Sequence, residues 1–194
     1  MQKGRLEAFT DGVIAIIITV MVLELKHPET PNLSGLLAVA PDMLGYALSF
    51  VFLGIYWNNH HHMMHSVSHV NGTVLWANLH LLFWLSLIPF GTQWMGQQFD
   101  QIPVAIYGVL LLLCGVAYRL LAIALIGANG PESPLAKNLG RDFKGKVSIL
   151  IYVIAVAISW QARYVACALY VVVAMMWLIP DRRFERATEG TRQG

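Results

Sequence analysis

The stretch Arg5-Leu-Glu-Ala-Phe-Thr-Asp-Gly12, followed by the apolar run 13–23, decides the fold of this 194-residue chain. Together with the residues before it, the run is long enough to cross a bilayer as a helix, which takes about 20 apolar residues. The first turns of this helix nevertheless carry Arg5 and Asp11. Placing a charged group near the membrane interior costs free energy. The side chains of Arg5 and Asp11 must therefore each reach another helix, the backbone or water.

The composition of the whole chain agrees with a membrane protein. Hydrophobic residues make up 57% of the sequence, charged residues make up only 12%, and the mean hydropathy is +0.58. A soluble domain carries about 25% charged residues. These values argue against a soluble enzyme, a nucleic-acid-binding protein and a disordered chain. We therefore predict an all-α, polytopic membrane protein.

Six apolar runs of the sequence are predicted to span the membrane. They are Leu6–Leu25, Leu33–Asn58, Val70–Phe90, Ile102–Leu125, Val147–Trp160 and Tyr164–Ile179. Pro89 and Pro180 are expected to end the third and the sixth helix, because proline lacks a backbone donor. The fifth and sixth runs are short and are expected to form a helical hairpin. Residues 1–180 then form one transmembrane domain, and residues 181–194 form a polar, basic tail.

The distribution of basic residues predicts the orientation of the six helices. An even number of spans places both termini on one side of the membrane. That side carries ten of the 13 Lys and Arg residues, namely Lys3, Arg5, Lys137, Arg141, Lys144, Lys146, Arg182, Arg183, Arg186 and Arg192. The opposite side carries Lys26 and Arg163, and Arg119 lies inside the fourth span. The positive-inside rule then predicts cytoplasmic termini in the plasma membrane, which is the inner membrane of a bacterium.

One face of the first helix is continuously apolar. At 100° per residue, its members lie within about 40° of one line along the helix; they are Phe9, Gly12, Ile16, Val20 and Leu23. Thr19 lies on the flank of this stripe. Arg5 and Asp11 are about 120° apart, so they cannot pair with each other. Such a stripe is either a packing or lipid-contact surface or the wall of a pore with a hydrophobic constriction.

Three motifs of the first half resemble those of a known family. Arg5-x-x-x-Phe9-Thr10-Asp11 resembles the Arg-x-x-x-Phe-Ser-Asp signature of the transmembrane protein 175 family, whose members are potassium channels of lysosomes and bacteria. Trp57-x-x-His60-His61 resembles the stretch that ends the second helix of the family, and Asn78 with the leucines after it and Pro89-Phe90 resembles the third-helix pattern. Residues 5–90 carry the resemblance, and the remaining spans match only in hydropathy and number.

The resemblance implies a pore at the axis of a homotetramer, lined by the first helix of each subunit. It implies a narrowest ring at Ile16, with further rings at Val20 and Leu23 towards the outside, and a hydroxyl linked to selectivity at Thr19. The permeant ions are potassium and other monovalent cations. The motif residues have a structural role in the family and tie the first helix to the second and third; here they are Arg5, Phe9, Thr10, Asp11 and Trp57, with Asn78 and His60 or His61 as partners.

Ion selectivity is expected to be modest. The sequence contains no Thr-Val-Gly-Tyr-Gly filter, and an apolar ring offers few ligands that could replace the hydration shell of an ion. Glu24, at the outer end of the first helix, is either one member of an anionic collar that concentrates cations or a solvated helix end beside Lys26. No cofactor, no metal site, no enzymatic activity and no nucleic-acid partner are predicted.

Two other functions are compatible with parts of the sequence. A cation- or proton-coupled secondary transporter would need an ionisable group near the bilayer centre, and residues 12–23 contain none. A membrane metalloenzyme could use the run His60-His61-His62-Met-Met-His65 with His69, in which His61 and His65 are one helical turn apart. A cytoplasmic loop of solvated histidines is the structure that we expect for this run, because it has no acidic partner and there is no second histidine-rich box.

Overall fold

A computed structural model describes residues 2–139 and 142–178, with backbone only for residues 138 and 139. Within these residues the chain is helical: α1 (Lys3–Leu23), α2 (Leu33–Ala38), α3 (Ala40–His65), α4 (Gly72–Ser86), α5 (Ile88–Gln97), α6 (Gln101–Asn129), α7 (Pro134–Leu139), α8 (Phe143–Ile158) and α9 (Arg163–Leu178). The predicted all-α fold is confirmed. The predicted tail 181–194, the stop at Pro180 and the charge of Arg141 lie outside the described residues.

The long helices follow the six predicted spans, if α4 and α5 are taken as one segment. By length and hydropathy, three segments of the described chain could each cross a membrane: Lys3–Leu23, Gly72–Gln97 and Gln101–Asn129. Helix α9 is a shorter apolar helix. Helix α3 has 26 residues, but the histidines at its C-terminal end lower its hydropathy. The chain is therefore a membrane protein with a helical bundle.

Two boundaries differ from the prediction, because the local chemistry permits the helix to continue. Pro89 does not end the third span; it occupies the second position of α5, where a missing N–H costs nothing, and the helix runs on to Gln97. The histidine run is not a loop, because His60, His61, His62 and His65 form the last turns of α3. The connection to α4 is short, and Asn71 caps α4 by accepting a hydrogen bond from the backbone N–H of Val74 at 3.0 Å.

Helix α6 is the centre of the bundle. It packs against α4 and α5 on one side and against α8 and α9 on the other. A buried polar cluster joins α3, α5 and α6, in which the hydroxyl of Ser49 lies 2.6 Å from that of Thr92 and 2.8 Å from that of Tyr107. Helix α1 packs against α3, α4 and α5, so it lies at one side of the bundle, away from the α8–α9 hairpin.

Glycine 108 permits the closest approach between α6 and α9. The hydroxyl of Tyr170 donates a hydrogen bond to the carbonyl of Val104 at 3.0 Å and lies where a Cβ of residue 108 would be. We expect Gly108→Ala to force the two helices apart and to lower the apparent melting temperature in detergent, because overpacking typically costs about 1–3 kcal/mol. Gly127→Ala, also in α6, is the matched control, since its Cβ would meet nothing within 4 Å. Equal melting temperatures of the two variants would contradict this packing.

Candidate pore-lining helix and its polar support

Helix α1 has one covered face and one open face. The buried residues recur every three or four positions and are Leu6, Thr10, Ile14, Ile17 and Met21. The predicted stripe lies on the open side, where the side chains of Phe9, Ile16, Val20 and Leu23 are 50%, 62%, 39% and 81% exposed. Gly12 has no atom of another helix within 4 Å of a Cβ built on it. The chain itself therefore leaves the whole stripe uncovered.

A buried chain of hydrogen bonds holds the covered face in the N-terminal half of α1. The amide nitrogen of Asn78 donates to the hydroxyl of Thr10 at 2.9 Å, and the amide oxygen of Asn78 lies 3.0 Å from Nε2 of His60. Because an amide oxygen only accepts, Nε2 of His60 is the donor. All three residues are at most 2% exposed. This polar triad links α1, α3 and α4 in a region where no water replaces a missing partner.

A second contact fixes the same end of α1 from the side. The indole N–H of Trp57 donates to a carboxylate oxygen of Asp11 at 2.9 Å. At the first residue of α1, the ammonium group of Lys3 donates to the carbonyl of Val67 at 3.0 Å and lies 4.0 Å from the carboxylate of Glu7. The N-terminal end of α1 is thus held by the loop before α4 as well as by α3 and α4.

Three of the predicted network residues, Arg5, Phe9 and His61, lie outside both the polar triad and the hydrogen bond between Trp57 and Asp11. His61 makes no hydrogen bond to α1 within the described residues; its ring stacks on Trp57 with centroids 6.1 Å apart and meets the ring of His65 at 4.3 Å. Arg5 is exposed, and within the described residues its side chain has neither a hydrogen bond nor an ion pair. It lies four residues before Phe9, and thus on the same open face.

Two further predicted positions have local partners. The hydroxyl of Thr19 donates to the carbonyl of Ile16 at 2.9 Å, which leaves the lone pairs of the hydroxyl oxygen directed away from the helix backbone. The carboxylate of Glu24 accepts a hydrogen bond from the side chain of Gln93 in α5. Glu24 is nevertheless exposed, so the chain does not bury its charge. No pattern in the sequence indicated the hydrogen bond between Gln93 and Glu24.

No group of three or more His, Cys, Asp or Glu side chains in residues 2–139 and 142–178 has the arrangement of a metal site. The open face of α1 has no ionisable side chain between Gly12 and Leu23. This face is an apolar surface one helix wide. Arg5 and Glu24 lie near its two ends, and the hydroxyl of Thr19 lies at its flank. Such a surface can line a water-filled path only if other helices close the path around it.

Comparison with known proteins assigns the family. The family described as endosomal/lysosomal potassium channel TMEM175 matches residues 5–89. A potassium channel of Chryseobacterium sp. is 50% identical over 188 residues, which cover 96% of this chain and 98% of that protein. The chain belongs to the TMEM175 family. The resemblance seen in the Arg-x-x-x-Phe-Thr-Asp motif is thereby confirmed.

Other TMEM175 relatives extend the comparison to structure. A potassium channel of Streptomyces collinus is 30% identical over 129 residues, covering 62% of this chain and 63% of that protein. The crystal structure of a lysosomal potassium-selective channel TMEM175 homolog from Chamaesiphon minutus shares the fold, with a TM-score of 0.82 and 24% identity over 91% of this chain and 96% of that one. Since the family consists of ion channels, the prediction that the chain is not an enzyme is confirmed.

The polar triad can be tested by removing one hydroxyl. We expect Thr10→Val to lower the free energy of unfolding by about 1–3 kcal/mol, because it leaves the buried amide of Asn78 without its acceptor. Thr10→Ser keeps the acceptor and should retain most of the stability. Unfolding in a detergent titration, followed by circular dichroism, measures the difference.

The matched control is Thr73→Val, which makes the same change at an exposed position of α4. It should leave the unfolding curve unchanged. If Thr10→Val is as stable as the wild type, the polar triad does not hold α1.

Proposed function

We propose that the chain is one subunit of a homotetrameric, potassium-permeable channel of the plasma membrane, with both termini in the cytoplasm. In this arrangement α1 of each subunit lines a common pore, and other monovalent cations also pass. One observation carries the proposal: the fold buries one side of α1 with a polar triad and leaves the opposite, apolar stripe uncovered along its full length. Relatives named as potassium channels support the choice of ion.

The ends of the stripe favour a pore wall over a lipid-contact surface. Arg5 lies on the open face at the inner end, and Glu24 lies at the outer end. A charge in line with the apolar surface needs water or a partner, and a hydrated pore mouth supplies the water. One helix cannot enclose a path, so the proposed site is complete only when copies of the chain surround it, and closed rings are the usual form of such assemblies.

The proposed constriction is a ring of Ile16 side chains, with rings of Val20 and Leu23 beyond it. Ile16 is 62% exposed in the single chain, so its side chain is free to face an axis. A ring of this kind blocks ions by excluding water when it is narrow. Thr19, one turn further out on the flank, supplies a hydroxyl oxygen as the nearest ligand. With so few ligands, we expect only modest discrimination between potassium and sodium.

The constriction is tested by potassium flux into proteoliposomes, with sodium as the competing ion. We expect Ile16→Asn to raise passive potassium flux and to reduce the preference for potassium over sodium, because an amide wets the ring. Val22→Asn is the matched control: Val22 is 47% exposed but lies off the stripe by about 120°. It should leave both quantities unchanged.

The same assay separates a channel from a transporter. Flux that saturates, that requires a counter-ion, or that responds equally to Ile16→Asn and Val22→Asn would refute the pore assignment. A coupled transporter would then be the better description of the protein.

The proposed outer collar of Glu24 makes a separate prediction. Four carboxylates at one mouth raise the local cation concentration, and salt screens this effect with a Debye length of about 10 Å at 0.1 M and about 3 Å at 1 M. We expect Glu24→Gln to lower single-channel potassium conductance at low salt and to leave it unchanged near 1 M. Glu29→Gln, in the exposed loop after α1, is the control. A deficit that is equal at both salt concentrations would assign Glu24 a structural role through Gln93.

A further inference from the structure

Two polar side chains on the outside of the bundle have unused hydrogen-bonding groups. They belong to His80 of α4 and Asn58 of α3, which are both exposed. Nε2 of His80 accepts a hydrogen bond from the indole N–H of Trp84 at 2.9 Å, so the neutral ring carries its hydrogen on Nδ1. Within the described residues, neither this Nδ1–H group nor the side-chain amide of Asn58 makes a hydrogen bond.

Both groups lie at the same depth in the membrane. The polar triad defines a common level, because Asn78 of α4 and His60 of α3 are 3.0 Å apart. His80 follows Asn78 by two residues and Asn58 precedes His60 by two residues, which is about 3 Å along each helix. Helices α3 and α4 are antiparallel, because the connection between them is short, so the two steps lead in the same direction.

That depth makes the unused groups costly. His80 lies inside the segment Gly72–Gln97, which is long and apolar enough to cross a membrane. A polar group without a partner in hydrocarbon costs free energy, and an ionisable side chain there usually faces protein or water and not lipid. The Nδ1–H group of His80 therefore needs an acceptor, and the amide of Asn58 needs a partner, from outside the subunit.

The two groups point to opposite sides of the subunit. Two residues turn a helix by about 200°, so a side chain two positions from a member of the triad points nearly away from it. Asn78 points from α4 towards α3, and His80 therefore points away from α3. His60 points from α3 towards α4, and Asn58 therefore points away from α4. One side of the subunit thus presents a donor and the other side presents an acceptor.

A ring of copies brings these two sides together. In the proposed channel the subunits are related by rotation about an axis along the membrane normal, and such a rotation keeps every residue at its depth. Each subunit of a closed ring uses two different surfaces, one against each neighbour. Helix α1 packs against both α3 and α4, so both surfaces adjoin the helix that is proposed to line the pore.

The shapes of the two surfaces are also complementary. Beside His80, the side chains of Trp76 and Phe83 are 75% and 54% exposed. One turn from Asn58 on α3, Gly54 has no atom of another helix within 4 Å of a Cβ built on it. Phe83 and Gly54 lie about 5 and 6 Å beyond the two polar groups in the same direction. A small residue lets another membrane helix approach closely, so Gly54 leaves room for an aromatic ring.

We propose that α4 of one subunit packs against α3 of the next, with Nδ1–H of His80 donating a hydrogen bond to the side-chain oxygen of Asn58 of the neighbouring subunit. Phe83 packs over Gly54 beside this bond. The occupant of the exposed face of α4 is thus a second copy of the chain and not lipid. The inference rests on the proposed homotetramer and adds to it which helices meet.

Cysteine cross-linking shows which surfaces meet without any measurement of ion flux. We expect a chain that carries both His80→Cys and Asn58→Cys to form dimers, trimers and tetramers on a denaturing gel after oxidation with copper phenanthroline in lipid vesicles. Either change alone should leave the chain monomeric, because neither residue meets its own copy in a head-to-tail ring. The wild type, with Cys114 and Cys167, is the control for the native cysteines.

A second cysteine pair tests the depth. Ala47 is exposed on the same face of α3 as Asn58, because the eleven residues between them turn the helix by within about 20° of three whole turns. It lies about 16 Å further along the helix. The pair His80→Cys and Ala47→Cys should therefore give no cross-linked species under the same conditions.

The hydrogen bond itself is tested by the stability of the tetramer, measured by native mass spectrometry at increasing detergent concentration. His80→Phe and Asn58→Leu should each weaken association about threefold per contact, which is the usual effect of one interhelical hydrogen bond in a membrane. The double variant should lose no more than either single variant, because both remove the same bond. His80→Asn, which keeps an N–H donor near the position of Nδ1, should retain most of the stability.

Four results would overturn the proposal. A tetramer that gives no cross-link between positions 80 and 58 would refute this interface and leave the proposed channel intact, whereas a monomer in lipid would refute both. A dimer formed by either single-cysteine variant would show that a surface meets its own copy. Equal cross-linking of position 80 to positions 58 and 47 would show that the disulfides report random collisions.

Discussion

The rotation of α1 about its own axis is the constraint on which the rest of the structure depends. Each residue turns an α-helix by about 100°, so a shift of one position would expose Thr10 and bury part of the apolar stripe. The polar triad opposes such a shift, because the amide of Asn78 and the imidazole of His60 have no water to turn to within the bundle. The hydrogen bond between Trp57 and Asp11 acts in the same direction from the flank of the helix.

The other helices either hold α1 in this rotation or pack behind the helices that hold it. Helices α3 and α4 supply the triad partners, and α5 supports the C-terminal half of α1. Helix α6 lies behind them and carries the α8–α9 hairpin on its far side. Because none of the described residues covers the stripe of α1, that face of the helix is left open.

Features of the fold that depend on helical periodicity could be predicted from the sequence. Features that depend on a partner far away in the chain could not. The members of the apolar stripe of α1 could be read from the 3.6-residue period, but the period did not decide whether the stripe is packed or open. The burial of Thr10 and Ile14 on the other side of the helix shows that the stripe is the open face. The helical, buried state of His60 could not be read from local periodicity, because its partner Asn78 is 18 residues away and histidine counts as polar in any local average. Only the family resemblance named His60 or His61, with Asn78, as partners of the first helix. The helix end predicted at Pro89 was wrong for a different reason. A proline ends a helix only where its missing N–H would have donated a hydrogen bond within the helix, and the first residues of α5 donate no such bond.

The position of the polar triad has a consequence for the proposed constriction. Thr10 precedes Ile16 by six residues, about 9 Å along the helix. Over so short a distance a helix behaves as a rigid rod, so a rotation permitted at the triad is transmitted almost unchanged to Ile16. An apolar ring conducts or excludes water according to its width alone. Any stimulus that opens such a ring must therefore act through the helices that hold α1, and these are α3, α4 and α5, whose polar side chains bond to it.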